Sequence, residues 1–371
     1  MPILLGVEMK IIRIRSLVSL LVLISMLCGC AAERAVSTKR YLWPRPPDEP
    51  KIEWIKSYYS QHSFPKSSSE TFFESIFGEA PALAFQKPID IKSNGKGRVF
   101  IADIDRRSIV VYDLNNKKVS EWKNNDNASD LGDFAPFYLA VDKNDNVYAV
   151  GKGLQQIVVY DSNGRFTRKI EYGNKVKNPG GITLNERLGR IYLVDASGSK
   201  VEVFSMSGGH LFTLGKAGEN DGELNRPSSV VVNSKGEVIV GDTHNGRIQI
   251  FDADGKFLRK FGQRGDGGGN FQIIKGVAVD SDDNIYVTDG KANQFKIFSS
   301  KGDYLMSLGA AFSAPMAGKE APGGFLLPQG IHIDSNDDIF IADQANMRFQ
   351  IFRYLKGGAA EKGTSLKQER K

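Results

Sequence analysis

Apolar residues fall along this chain in short bursts cut off by glycine, aspartate, asparagine and serine, a pattern of strands joined by tight turns rather than of helices. Six fifteen-residue segments align without a gap: VFIADIDRRSIVVYD from Val99, VYAVGKGLQQIVVYD from Val147, IYLVDASGSKVEVFS from Ile191, VIVGDTHNGRIQIFD from Val238, IYVTDGKANQFKIFS from Ile285 and IFIADQANMRFQIFR from Ile339. Each reads as strand, loop, strand. Their fifth positions, Asp103, Gly151, Asp195, Asp242, Asp289 and Asp343, are spaced by 48, 44, 47, 47 and 54 residues, the period of a propeller blade. Ahead of each segment stands another apolar strand ending in a polar turn, as in GVAVDSDDN (Gly276–Asn284) and GIHIDSNDD (Gly330–Asp338). Behind the first five comes an outer strand: KVSEW, RFTRKI, HLFTLG, KFLRKFG and DYLMSLG.

Six inner triplets with five outer strands leave one blade short, and an unpaired edge there is an aggregation hazard. KIEWIKSYYS (Lys51–Ser60) is the one unassigned segment with strand alternation, which predicts that it closes the ring beside Phe349–Tyr354. The expected fold is all-β: a six-bladed β-propeller of four-stranded antiparallel blades over residues 51–355, its last blade closed by the N-terminal strand. Before the first blade, Ser67 and Glu70 form a capping-box pair, and Phe72, Phe73, Ile76 and Phe77 share one helical face ahead of Gly78. This predicts a short amphipathic helix near residues 68–77, lying over one mouth of the ring.

Asp242 with Asn245 and Arg247, and Asp343 with Asn346 and Arg348, repeat one pattern: an apolar hairpin, an aspartate closing its second strand, a loop, and an arginine five residues on. The pattern resembles the NHL repeat. It thins elsewhere, since Ser108, Lys200 and Gln294 replace the arginine after Asp103, Asp195 and Asp289, and Gly151 replaces the aspartate itself. The resemblance spans about Lys51–Leu355 and implies a propeller, a fold that hosts unrelated functions.

Composition matters mainly at the ends. Of the net charge of +6, residues 1–29 hold +2 and residues 356–371 hold +3, which leaves about +1 for the body and no basic footprint for nucleic acid. RNA binding occurs among eukaryotic relatives of the repeat, but an exported chain does not meet cytoplasmic RNA. Lys10, Arg13 and Arg15 precede an uncharged run, Leu17–Leu27, too short to span a bilayer comfortably, which is the layout of a secretory signal over residues 1–29. Glu8 and the apolar Met1–Val7 make Met9 an alternative start. Leu27-Cys28-Gly29-Cys30 resembles the lipobox of bacterial lipoproteins, which implies acylation of Cys30, removal of Cys28 with the signal and no internal disulfide. Alanine rather than aspartate at position 31 implies the outer membrane over inner-membrane retention. Residues 30–50, ending WPRPPDEP, predict a semi-rigid spacer, and 356–371 a basic disordered tail.

Propeller relatives that are metal-dependent lyases, hydrolases or lactonases gather histidines and carboxylates around the channel, and such a site needs about three convergent ligands. Of His62, His210, His244 and His332, only His244 and His332 are placed to approach it. The aspartate-rich turns DKNDN, DSDDN and DSNDD open like calcium loops but lack the downstream glycine and glutamate, so they read as hairpin turns. Asp103, Asp195, Asp242, Asp289 and Asp343 recur too regularly to be catalytic; they read as acceptors for backbone N–H groups or as partners of Arg247 and Arg348. GQRGDGGGN (Gly262–Asn270) has no phosphate-loop lysine and opens no helix, so its RGD string reads as incidental. The loops after the aspartates and those joining the blades share a face, which gathers Arg106, Lys152, His244, Arg264, Lys275, Lys291 and Gln344, with Tyr138 and Phe325 as aromatic anchors. The expectation is a monomeric propeller anchored through Cys30 in the outer membrane, facing the periplasm or cell surface. It serves as a binding or scaffolding module for a protein or glycan, without cofactor, metal or catalytic residues; a metal-dependent lyase, hydrolase or lactonase is the alternative.

Overall fold

Each apolar run pairs with the next along the chain, because a short polar turn returns the backbone directly onto its own neighbour. The computed structural model describes residues 39–45, 47–79, 81–123, 131–132, 134–152, 154–313 and 321–356. The signal segment, Cys30 and residues 357–371 of the tail lie outside the described residues. Blade 1 comprises Pro88–Ser93, Arg98–Asp103, Ser108–Asp113 and Lys118–Trp122; blade 2, Ala135–Val141, Val147–Lys152, Gln156–Tyr160 and Phe166–Glu171. Blade 3 comprises Pro179–Asn185, Arg190–Asp195, Lys200–Ser205 and His210–Leu214; blade 4, Ser229–Val232, Val238–Asp242, Arg247–Phe251 and Phe257–Phe261. Blade 5 comprises Ile274–Val279, Ile285–Asp289, Gln294–Phe298 and Tyr304–Leu308. Every pairing within these blades is antiparallel, and the chain is an all-β six-bladed β-propeller.

Blade 6 takes Pro328–Ile333, Asp338–Asp343 and Arg348–Tyr354 from the C-terminal side, and Ile52–Tyr58 from the N-terminal side. The closing register runs from Ile52 opposite Tyr354 to Tyr58 opposite Phe349, as the strand arithmetic requires. Ile52 is fully buried, Tyr58 stacks on Phe349 at 4.9 Å, and Trp54 Nε1 donates to Gln350 Oε1 at 3.2 Å. One boundary differs from expectation. Tyr41–Trp43, assigned by composition to the spacer, is a fifth strand against Ile52–Trp54, with Tyr41 edge-on to Trp54 at 5.7 Å and Trp43 edge-on to Phe352 at 6.1 Å. The neighbouring prolines masked three residues whose aromatic rings find the half-covered face of the closing strand.

The core lies between blades, so middle strands are buried on both faces and read as continuous apolar runs rather than as alternation. Tyr286 and Phe295 of blade 5, for instance, pack with Ile331, Ile339 and Phe352 of blade 6 and with Ile52. On the face carrying the first hairpin turn of each blade, Asp142, Asp280 and Asp334 accept N–H groups two and four residues on, at 2.8–3.3 Å. Those carboxylates are occupied as turn caps. The left-handed aspartates beside them reach the preceding blade: Asp283 accepts from Ser234 and Asp337 from Ser281. That lower face is spent on holding blades together.

The helix forms over Ser68–Phe77, with the side chains of Glu70 and Phe73 outside the described set. Its position corrects the expectation. Phe77 shares a cleft with Asn116–Lys118 at the outer turn of blade 1, and Phe72, Ile76 and Phe77 are 61%, 56% and 78% exposed, so the apolar face covers no mouth of the ring.

Candidate functional site

The upper face is built by the five repeated aspartates, all without exposed surface. Each accepts the N–H of a residue 17 positions upstream, in the connector entering its blade: Gln86 to Asp103 at 2.8 Å, Asn178 to Asp195 at 3.1 Å, Asn225 to Asp242 at 2.7 Å, Gln272 to Asp289 at 2.8 Å and Leu326 to Asp343 at 2.8 Å. The carboxylate thus ties the inter-blade connector to the loop after the second strand. In blades 4 and 6 the other oxygen holds Arg247 Nε at 2.8 Å and Arg348 Nε at 2.7 Å, with Asn245 and Asn346 alongside. In blade 5, where Gln294 stands at the arginine position, Lys296 supplies the cation from the same strand, 3.5 Å from Asp289. Burial nevertheless pushes the Asp343 carboxyl above its ordinary value. Blade 2 has no aspartate because any Cβ at Gly151 would overlap the Ala135 carbonyl.

Against this frame the predicted face residues separate. His244, Arg264, Lys152 and Lys291 are exposed, and Arg264 Nη2 donates to the His244 carbonyl at 2.6 Å. Arg106 is spoken for: its Nε donates to Glu121 at 2.8 Å and its Nη1 to the Ala84 carbonyl at 3.0 Å. Gln344 accepts from Gln329 Nε2 at 3.2 Å. Phe325 is a correction. It is wholly buried, bridged in parallel to Ala311 and packed on Phe295 and Phe352 at about 6 Å, so the connector that carries it folds inward and it is no surface anchor.

Tyr138 and Lys275 turn into the central channel, a space of about 400 Å³ lined by the inner strands of all six blades. Burial, with the Asp90 carboxylate nearby, raises the Tyr138 hydroxyl to about 12. Asp90 is fully engaged, accepting Lys92 Nζ at 2.8 Å and Leu139 N at 2.8 Å. His332 sits 3.1 Å from the Ser93 carbonyl, and burial together with Lys92 depresses it to about 3, so it is a neutral donor in the wall. His244 does not line the channel. Among the described residues the groups with three ligand atoms close together reduce to His62, Glu74 and Glu79, away from the channel, where Lys66 already bridges both glutamates at 2.8 and 2.5 Å.

The same face exposes apolar residues that pattern reading missed: Ile273 at 37%, Leu327 at 43% and Met347 at 41%. Leu327 and Met347 have φ of 54° and 50°, and so does nearby exposed Arg226 at 46°. Left-handed backbone at a leucine or methionine costs about 1 kcal/mol or more and persists where function or surroundings impose it. The signal available in the sequence was apolar residues inside connectors, at Gln272-Ile273 and Leu326-Leu327.

The fold and this face define a class: a six-bladed propeller with clamped upper loops. The NHL repeat family model matches residues 224–251, the hairpin of Asp242 and Arg247, so the chain carries an NHL repeat. No curated protein matches its sequence significantly. Among solved structures it is similar to a protein of unknown function from Bacteroides thetaiotaomicron VPI-5482, with TM-score 0.59 and 18% identity over 73% of this chain and 70% of that one. It is also similar to a streptogramin B lyase, with TM-score 0.54 and 14% identity over 72% and 94%. Virginiamycin B lyase from Staphylococcus aureus follows at TM-score 0.52 and 16% identity over 72% and 95%. At these identities the likeness is one of fold.

Proposed function

We propose that this chain is a membrane-anchored periplasmic binding or scaffolding module whose upper face, over blades 4–6, engages a protein partner, with a glycan as the other outcome of the test below. One observation carries the reading: Ile273, Leu327 and Met347 are exposed on a face whose loops also carry exposed Arg226, Arg264 and Lys291, while the lower face spends its carboxylates on blade contacts. Apolar anchors within a rim of mixed charge, where Glu219 and Asp266 are exposed in the connectors of Arg226 and Arg264, fit a protein surface better than a neutral sugar. Catalysis by a metal-dependent lyase has less support, because Asp90 is bound by Lys92 and Leu139, and His332 by Ser93, which leaves no convergent third ligand in the described channel. Anchoring rests on the lipobox-like Leu27–Cys30; no helix among the described residues is long and apolar enough to cross a membrane.

The experiment is crosslinking in intact cells with identification of the captured molecules, comparing the native chain with Arg264→Glu/Lys291→Glu and with Cys30→Ala. Charge reversal at the two exposed positions should leave the melting temperature within a degree or two and abolish capture. Cys30→Ala should leave precursor or shift the protein out of the membrane fraction. Undiminished capture by the charge-reversed chain sinks the choice of face, and an unchanged membrane fraction sinks the anchor.

A further inference from the structure

Every buried cation on the upper face but one has an anionic or carbonyl partner. Arg247 and Arg348 are held by Asp242 and Asp343, Lys296 by Asp289, and deeper in the channel Lys92 by Asp90. The exception is Lys275, half-buried at the upper end of the blade 5 inner strand, for which no hydrogen bond or ion pair exists among the described residues. Burial acts alone on its ammonium and pulls its pKa below the ordinary lysine value. The side chain lies across Gly290, where a Cβ would stand 2.9 Å from Lys275 Cγ and 3.1 Å from its Cε. A glycine there makes room for the lysine to lie at the channel mouth instead of reaching outward.

The other polar groups of the mouth are largely satisfied. Thr243 and Ser228 share a hydrogen bond at 2.8 Å and both reach the Ile274 carbonyl, and Gln329 donates to Gln344. Across the six-fold ring, blade 2 stands opposite blade 5, and its Tyr138 brings into the channel a hydroxyl with no hydrogen-bond partner among the described residues. Asp90 cancels Lys92, His332 is neutral, and Glu186 lies at the lower end, where it accepts from the Lys143 N–H, so at the upper mouth Lys275 is the one cation without a counter-charge among the described residues. A buried charge without a partner is costly, and a bound counter-charge removes that cost. One cation matches one negative charge; a phosphate dianion would leave a second charge unanswered. A space of about 400 Å³ is in the range of small-ligand sites, which is roughly 300–1,000 Å³.

We propose that the upper mouth of the channel is a receptor for a single carboxylate, borne by a small organic acid or by the end of a polypeptide, with Lys275 as its counter-charge and Tyr138 offering a hydroxyl to a second polar group of the same ligand. This rests on the upper face being the binding face. Saturation-transfer NMR on the full chain tests it, with acetate and N-acetylglycine as probes, the amides acetamide and N-acetylglycinamide as neutral controls, and inorganic phosphate, which carries no carbon-bound proton, as a dianionic competitor of N-acetylglycine. The carboxylates should bind saturably in the millimolar range and the amides should not. Lys275→Met should weaken N-acetylglycine at least about tenfold, a loss of roughly 1.4 kcal/mol. Lys275→Arg should keep most of it, and Lys301→Met, exposed at the outer turn of blade 5 and away from the channel, should change nothing. Tighter binding of N-acetylglycine than of acetate points to a polypeptide end, and equal binding to small acids. No carboxylate binding, equal binding of amides, equal binding to Lys275→Met, or a preference for phosphate each overturns the site. Because the methionine retains the aliphatic stem, the melting temperature of Lys275→Met should be unchanged or higher, which separates lost binding from lost fold. Carboxylate binding that survives while Arg264→Glu/Lys291→Glu leaves partner capture intact keeps this site and refutes the chosen face; the converse refutes the site alone.

Discussion

Removing the closing strand in two steps should divide the stability of blade 6 into separable parts. Take a chain beginning at Tyr41 as reference, a second beginning at Lys51 and a third beginning at Gln61. The second loses Tyr41–Trp43, with the Tyr41–Trp54 and Trp43–Phe352 ring contacts. Each aromatic pair is worth roughly 0.5–1.5 kcal/mol beyond burial, and half-burying two such rings adds about 1 kcal/mol apiece, so the loss is on the order of 3–5 kcal/mol. The third also loses Ile52 and Tyr58, each buried and worth roughly 1.5–3 kcal/mol. It further strips Arg348, fully buried, of the Tyr59 hydroxyl at 2.7 Å and the Ser57 hydroxyl at 3.4 Å. Each unmet buried donor costs about 1–3 kcal/mol, and the sum reaches the whole stability of an ordinary domain, about 5–15 kcal/mol. Urea titration followed by circular dichroism should therefore show a lowered midpoint for the second chain and no cooperative transition for the third. Equal midpoints for the first two would refute the fifth strand, and a cooperative third would refute closure through residues 52–58.

Two further perturbations follow from the buried polar groups. Asp343→Asn leaves Arg348 buried without its counter-charge and should cost about 3–5 kcal/mol in a melting experiment, whereas Asp195→Asn, whose Oδ2 has no partner, should cost about 1 kcal/mol or less; equal losses would deny the clamp its ionic part. His332 is depressed from 6.5 to about 3 on folding, so the unfolded chain takes up its proton first, and stability is intact above pH 6.5 and falls as the pH drops toward 3. At pH 5 this amounts to at most about 2 kcal/mol, and His332→Gln should flatten that slope between pH 6.5 and 5; an identical slope in the variant would show that the imidazole is not buried neutral.

Blade number, strand order and closure were legible because they are properties of a one-dimensional pattern. A period of 44 to 54 residues, apolar runs of strand length, and a count of outer strands one short leave a single arrangement in which every blade has its four strands. The repeated aspartates were legible for the same reason, since recurrence at one position argues for a shared structural task. What the pattern could not carry was the direction of individual side chains in the connectors. Phe325 and Leu327 stand two residues apart in one segment, yet the first fills the core beside Phe352 and the second faces water, because Leu327 itself takes a left-handed backbone conformation. Lys275 and Lys291 looked alike as loop cations; one lies over Gly290 at the channel mouth and the other projects outward. Repetition determines which backbone groups pair, but only the closed ring decides which side chains converge across it, since the channel brings together residues from six blades that are neighbours in no stretch of sequence.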